Sequence, residues 1–432
     1  MGSERTAGQS FPLNDAVLIK TKVLNWLRRF NTFCFLDSCG FPDQQFDFVA
    51  GAGVKRRVVL AGTGALDAFE EFLQKKDTWL LGHWNYELET GAGQHRSGKV
   101  DAVGFPDGFF FEPEWLLYVK ENRLYIEGED PERLFNELLK EPVTPALPLQ
   151  LQQPVRCRVS KETYLETIRQ LQAHIHRGDC YEINYCVEFF SEAARMDPFD
   201  VYHQLAERSP NPFSGLYRVN DQWLICASPE RFLKKTGPRL ISQPIKGTLS
   251  RTGTDTASLH AERRQLANSN KDRAENVMVV DLVRNDLSRI CREGSVQVDK
   301  LFGIYSFAQV HQMISTVSGM VDDPVSMSGI LKATFPMGSM TGAPKVRVMQ
   351  LIDRYEKNAR GIFSGALGYI QPNGDFDFNV VIRSLMYNAQ SGYLSYKAGS
   401  GITIYSEPEL EWEECLLKAK AIEAVLGGLQ GI

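Results

Sequence analysis

His311-Gln312-Met313-Ile314-Ser315-Thr316-Val317-Ser318-Gly319 is rich in β-branched residues and close to alternating, which predicts a strand with His311, Met313, Ser315 and Val317 on one face. Residues 182–190 and 223–227 read as further strands. Between them and the start of this half, Ser160 opens a helix in Ser160-Lys161-Glu162-Thr163, with apolar Tyr164, Ile168, Leu171 and Ile175 at helical spacing and Gly178 at its end. Two longer helical stretches, about 261–283 and about 409–426, are polar early and apolar late.

Residues 139–154 read LKEPVTPALPLQLQQP, and four prolines without helical or strand period predict a linker. Ahead of it, short apolar segments such as Arg57-Val58-Val59-Leu60-Ala61 and Trp115-Leu116-Leu117-Tyr118-Val119, with turn signals between, predict a sheet-rich part. No internal repeat suggests a solenoid or propeller.

Of the 432 residues, 43% are hydrophobic and 23% charged, a balance that excludes disorder and supplies a large core. The formal charge of −5 argues against a polyanionic partner such as nucleic acid, so an anionic small substrate requires a local cationic site. No apolar run of membrane-spanning length occurs, and Met1-Gly2-Ser3-Glu4-Arg5 lacks the pattern of a signal peptide, which leads to the expectation of a cytosolic protein. Eight cysteines lie scattered without a CxxC pair or a Cys/His metal spacing, as expected of reduced core thiols. Gly93-Gln94-His95-Arg96-Ser97-Gly98-Lys99 imitates a phosphate-binding loop, but Val100 stands where the magnesium-binding hydroxyl belongs, and a surface loop is the better reading.

Several constellations carry possible chemistry. Asp272 and Glu275 stand three apart on one helical face, and Glu411 and Glu414 repeat the spacing. Carboxylates converging from two helices suit magnesium, which takes one or two protein oxygens; a solvated acidic face, with Glu414 and Lys418 as an ordinary i, i+4 ion pair, is the competing reading. Gly338-Ser339-Met340-Thr341-Gly342-Ala343-Pro344-Lys345 and Gly399-Ser400-Gly401 offer backbone amides to a carboxylate, as tight turns also would. In Pro244-Ile245-Lys246-Gly247-Thr248 a lysine sits between apolar neighbours, where desolvation disfavours the ammonium and frees a lone pair for attack, unless the side chain snorkels to water.

Together, Ser228-Pro229-Glu230-Arg231-Phe232, the Lys246 segment, Lys271 to Asn276 followed by Val280-Asp281-Leu282-Val283-Arg284-Asn285-Asp286, 311–319, Thr341 to Lys345 and Glu411 to Ala419 resemble the chorismate-utilising family of anthranilate synthase component I, isochorismate, salicylate and aminodeoxychorismate synthases. The likeness is strong from Ser160 onward and weaker before the linker, where it rests on stretches such as Gly82-His83-Trp84-Asn85-Tyr86-Glu87-Leu88. It implies an α+β fold with antiparallel β-sheets packed on each other and helices outside, as in anthranilate synthase component I. The expected division is an N-terminal sheet-rich part over 1–150, integrated into the same fold, and a chorismate-binding catalytic part over 155–432.

A lysine at the position of Lys246 resembles the aminodeoxychorismate synthase component I branch, where anthranilate synthases typically carry alanine. The resemblance implies that Lys246 attacks C2 of chorismate while Glu230 protonates the departing C4 hydroxyl, that ammonia then adds at C4 and expels the lysine, and that His311 lies near the reacting ring. A Glu230–Arg231 ion pair and a core histidine are the alternatives at those positions. It further implies Mg2+ held by Glu275 and Glu414 with Asp272 and Glu411 in support, and substrate carboxylates held by Arg383, Lys418, Gly399 and Gly401, with Thr341 and Gly342 also at the substrate. The sequence departs from the family at Gly399-Ser400-Gly401, where a further glycine is frequent, and at Glu407-Pro408, where aspartate is usual.

No cysteine has the Gly-x-Cys-x-Gly setting of a glutamine amidotransferase, so ammonia is expected from a separate glutaminase subunit, component II. The rival functions are anthranilate or isochorismate formation within the family and, in another class, a noncatalytic chorismate-binding regulatory subunit; an acid and a nucleophile together argue against the last.

Overall fold

The strand first read from the sequence runs from Val310 to Met320 in the computed structural model, which describes residues 8–74, 78–90, 98–142, 149–151, 153–322 and 324–427. Gln297–Ser306 pairs along it, and Arg239–Gln243 and Ile245–Ser250 pair with its two halves. Pro244 separates those two short strands and donates no hydrogen bond, so the chain steps between them without a loop.

These strands belong to a 10-stranded antiparallel sheet, which accompanies a 12-stranded one and a two-stranded ribbon of Gln150–Leu151 with Ala194–Arg195. Strands from before and after residues 139–154 are hydrogen-bonded neighbours in both large sheets. Thr32–Asp37 lies between Phe48–Ala52 and Phe213–Val219, and Leu80–Trp84 lies between Gly108–Glu112 and Ala366–Ile370.

Alternation along the larger sheet explains how the layers hold together. Successive side chains leave opposite faces of a strand, and here both faces are apolar. Phe33, Phe35, Trp223, Ile225, Leu385 and Tyr387 pack into one core with residues of helices Ala16–Leu27, Lys161–His176, Pro198–Arg208 and Pro408–Leu426. The intervening Cys34, Leu224, Cys226 and Met386 pack into a second core with Leu81, Trp84, Phe109 and Phe110 of the smaller sheet. The architecture is the expected α+β fold, antiparallel sheets packed on each other with helices outside.

The details differ from the sequence reading in three places. The stretch 261–283 is two helices, Thr256–Asn268 and Asn270–Ser288, because the Ser269 backbone N–H bonds back to Leu266 and its hydroxyl accepts the Asp272 N–H, ending one helix and capping the next. Gly399-Ser400-Gly401, which a tight turn could also have explained, lies inside the strand Tyr393–Ile402. Within 139–154, Leu139 and Lys140 close the helix Pro131–Lys140, while 143–148 and 152 lie outside the described residues.

Residues 1–7, including the segment inspected for a signal, and 91–97, most of the phosphate-loop look-alike, also lie outside them. Lys99 of that look-alike pairs with Asp353. All eight cysteines are described and free. No helix among the described residues is long and apolar enough to cross a membrane.

Ile225→Ala and Leu224→Ala remove side chains from opposite faces of one strand. Each is expected to cost about 2–5 kcal/mol, read as a lower urea midpoint. A cost confined to one of the two would contradict the two-sided packing.

Candidate active site

The strand Ile245–Ser250 does not pair smoothly with its neighbour: the register shifts between Ile245 and Thr248, so that Lys246 and Gly247 occupy a bulge. A bulge re-aims a side chain. Gly247 takes φ 94, a left-handed conformation open to glycine, and a Cβ there would approach the Asp272 side chain to 2.9 Å. The glycine of Pro244-Ile245-Lys246-Gly247-Thr248 thus lets the strand carrying the lysine lie against the helix carrying the acids.

Lys246 lines a cavity of about 810 Å³, counting its open mouth. Glu230, Asp272, Glu275, Arg383, Glu414 and Lys418 face the same space, as do Gly399 and Gly401. Burial alone would lower the Lys246 pKa, but the charges of Glu182 and Glu275 outweigh it and hold the amine above its ordinary range. Its ion-pair partner Glu182 comes from a distant strand, Glu182–Ser191, and favours the ammonium where desolvation alone would disfavour it.

Glu230 is buried, and burial pushes its carboxyl up to about 7, with the Ser339 hydroxyl and Lys246 pulling the other way. Arg231 is not its partner: that guanidinium pairs with Asp377 and donates to Gln243 and Gln44. Glu230 therefore keeps its proton to higher pH than an ordinary glutamate.

Among the acids, Glu275 is buried and raised to about 7, first by burial and further by Glu182. Its Oε1 makes no hydrogen bond and lies 3.9 Å from Lys271. A buried oxygen without a donor is suited to a cation. Glu414, held below the usual carboxylate range by Lys418 against the effect of burial, completes the expected i, i+4 pair at 2.7 Å, yet both residues still face the cavity. Glu411 sits behind, buried, 3.3 Å from Lys271 and outside the lining. No group of three or more His, Cys, Asp or Glu among the described residues forms a ready-made metal cage. Magnesium requires only one or two carboxylates with water and substrate for the rest, and Glu275 with Glu414 fits that demand.

Arg383 takes φ 52 and lines the cavity, and burial lowers its pKa to about 10. Among the described residues its guanidinium has no hydrogen bond or ion pair. Lys418 also donates to the Gly399 carbonyl at 2.7 Å.

Three residues expected at the substrate lie elsewhere. His311 is buried between Ser306, 2.9 Å from Nδ1, and Glu262, 3.1 Å from Nε2, which is the core-histidine alternative. Alternation gives the cavity-facing position to the next residue, Gln312, whose Oε1 is buried without a partner. Thr341 turns its hydroxyl onto the Met337 carbonyl at 3.1 Å, closing a tight turn. At Gly342, φ 143, a Cβ would meet the Glu182 carbonyl at 2.1 Å, so glycine serves strand pairing there. Ser339 and Met340 of the same segment reach the cavity instead.

The sequence reading missed Glu182, Gln312 and Arg360. Glu182 had a detectable signal: a carboxylate at the head of the apolar run Ile183-Asn184-Tyr185-Cys186-Val187 is a charge entering a buried strand.

A family model described as chorismate binding enzyme matches residues 42–424. The chain is similar to aminodeoxychorismate synthase component 1 of Klebsiella aerogenes, with 36% identity over 79% of this chain and 76% of the relative. Among solved structures it resembles anthranilate synthase component I from Streptococcus pneumoniae TIGR4, with a TM-score of 0.74 at 25% identity, covering 88% of this chain and 92% of that one. The menaquinone-specific isochorismate synthase of Escherichia coli, at 17% identity and a TM-score of 0.78 over 97% of this chain and 94% of its own, shares the fold. With its model spanning most of the sequence, the chain belongs to the chorismate binding enzyme family.

Proposed function

We propose that this chorismate-utilising enzyme exchanges the C4 hydroxyl of chorismate for an amino group, giving 4-amino-4-deoxychorismate for para-aminobenzoate and folate synthesis, in the manner of an aminodeoxychorismate synthase component I. The observation that carries the reading is the buried pair Lys246 and Glu230 facing one cavity, a nucleophile and a group that holds a proton near pH 7. The similarity to component 1 of Klebsiella aerogenes supports the choice within the family.

In this reading Lys246 Nζ, as the free amine, bonds to C2. Both ring double bonds shift, C1=C2 to C1=C6 and C5=C6 to C4=C5, the C4–O bond breaks, and Glu230 gives its proton so that water leaves. Ammonia then bonds to C4, both double bonds return, and the C2–N bond breaks with its electrons on Nζ. The C4 ammonium passes a proton to Glu230 and restores the acid. Arg383, Lys418 and the backbone around Gly399 and Gly401 bind and orient the substrate carboxylates. Glu275 and Glu414 would hold Mg2+, with Asp272 beside them and Glu411 behind; the ion supplies positive charge that anchors a carboxylate and fixes the ring. Ammonia comes from a separate glutaminase subunit, in keeping with the relative's being called component 1. The eight free thiols support a cytosolic setting.

Chorismate, magnesium and ammonium incubated with the purified protein are expected to yield 4-amino-4-deoxychorismate by mass spectrometry. Anthranilate with pyruvate, or isochorismate, would overturn the reading. Lys246→Ala is expected to abolish amination at C4, and Glu230→Gln to lower kcat by about 10²–10⁴-fold. Because Glu230 acts in its protonated form, kcat should decline as pH rises through about 7. A profile flat from pH 6 to about 9 would remove Glu230 from the acid role.

A further inference from the structure

We propose that Glu182 is the proton acceptor that turns the Lys246 ammonium into the attacking amine and hands the proton back when the amine is expelled. The inference rests on the lysine route above, which needs an acceptor it does not otherwise supply.

Contact comes first. Lys246 Nζ lies against Glu182 Oε1, and their side chains are 9% and 4% exposed, so bulk water does not compete for the proton. Among the described residues Glu182 is the ion-pair partner of Lys246. Among the described residues no other carboxylate lies within ion-pair distance of Nζ. On the helix Asn270–Ser288, Glu275 is nearest to Lys271 and Lys271 bonds Glu411; on the helix Pro408–Leu426, Glu414 pairs with Lys418. Glu230, at the head of the strand Arg231–Thr236, already serves the opposite transfer. Arg383, ahead of the strand Ser384–Asn388, adds positive charge and accepts nothing.

The second observation is the room beside the pair. Gly401 lies across from Asn184 in the adjoining strand, and a Cβ on it would stand 2.4 Å from Lys246 Nζ and 2.7 Å from Glu182 Oε1. Any side chain there would separate amine from carboxylate or displace both. Glu182 is also fixed from behind, since its residue pairs with Ala343 while Gly342 packs against its carbonyl. The ion pair itself supplies the need for an acceptor, because a carboxylate against Nζ favours the protonated amine, which has no lone pair to give.

The proton balance closes. Nζ–H goes to Glu182 Oε1, the freed lone pair forms the bond to C2, and the hydroxyl leaves as water with the proton from Glu230. When ammonia displaces the lysine, Nζ departs as a neutral amine and takes the proton back from Glu182, restoring the ion pair.

Glu182→Gln keeps the volume and removes the base. Acceptor chemistry predicts a kcat at pH 7.5 lower by about 100-fold or more, a chorismate KM within about threefold of wild type, and a rate that climbs with pH as solvent deprotonates the lysine. Glu182→Asp should recover about tenfold over the glutamine variant. If the carboxylate merely restrains the lysine, removing it frees the amine, so a glutamine variant as fast as wild type or faster overturns the proposal. Should that variant fail to fold by circular dichroism, a wild-type kcat in Glu182→Asp overturns it instead. Lys246→Ala assayed alongside separates the two claims: product from that variant refutes the lysine route, whereas an inactive Lys246→Ala beside an active Glu182→Gln refutes only the acceptor.

Discussion

A guanidinium buried without water must have its donors met from inside the protein, and Arg360 meets them from four directions. It donates to both oxygens of Glu356, to the Met340 carbonyl and to the Asn184 carbonyl, and its plane lies over the Tyr86 ring at 4.5 Å. Glu356 in turn accepts the Cys186 N–H, and Glu87 accepts the Arg360 and Gly361 N–H groups. One charge thereby ties the strand that begins at Glu182 to the turn bearing Ser339 and Met340 and to the N-terminal loop at Tyr86. The cavity walls are set by this knot, and the catalytic candidates stand on walls it holds.

Within the cavity, charges are matched with a deliberate remainder. Lys246 is taken by Glu182, Lys271 by Glu411 and Lys418 by Glu414, while among the described residues a Glu275 oxygen accepts no hydrogen bond and the Arg383 guanidinium has neither hydrogen bond nor ion pair. A carboxylate oxygen without a donor and a guanidinium without an acceptor in one polar enclosure suit a ligand pair of opposite signs. A metal ion and a substrate with two carboxylates form such a pair, which is why the proposed chemistry needs no further charged residue.

The sequence made side-chain identity legible: Lys246, Glu230, Glu275, Glu414, Arg383 and Lys418 all reach one cavity. Strand and helix positions were legible too, since apolar periodicity survives in single segments such as 161–176 and 310–320. What escaped was non-local. His311 and Gln312 differ by one position, and only the partner elements decide which face meets the cavity. The charge state of Lys246 depends on Glu182, and the supports of the pocket depend on Arg360, neither of which announces its partner by spacing. Thr341 and Gly342 sit in a motif whose neighbours, not they themselves, touch the open space.

The sheet order has a consequence for how the chain matures. Phe35 finds Leu216 across the larger sheet, and Leu81 finds Tyr369 across the smaller one. Long-range pairings of this kind slow folding and leave apolar strands waiting for partners not yet synthesised. The N-terminal strands can pair with one another, but the free edges of Thr32–Asp37 and Leu80–Trp84 leave the ribosome well before the strands that cover them. The enzyme's yield in a cell is accordingly tied to whatever shields those edges until the middle of the chain, for one, and the last third, for the other, arrive.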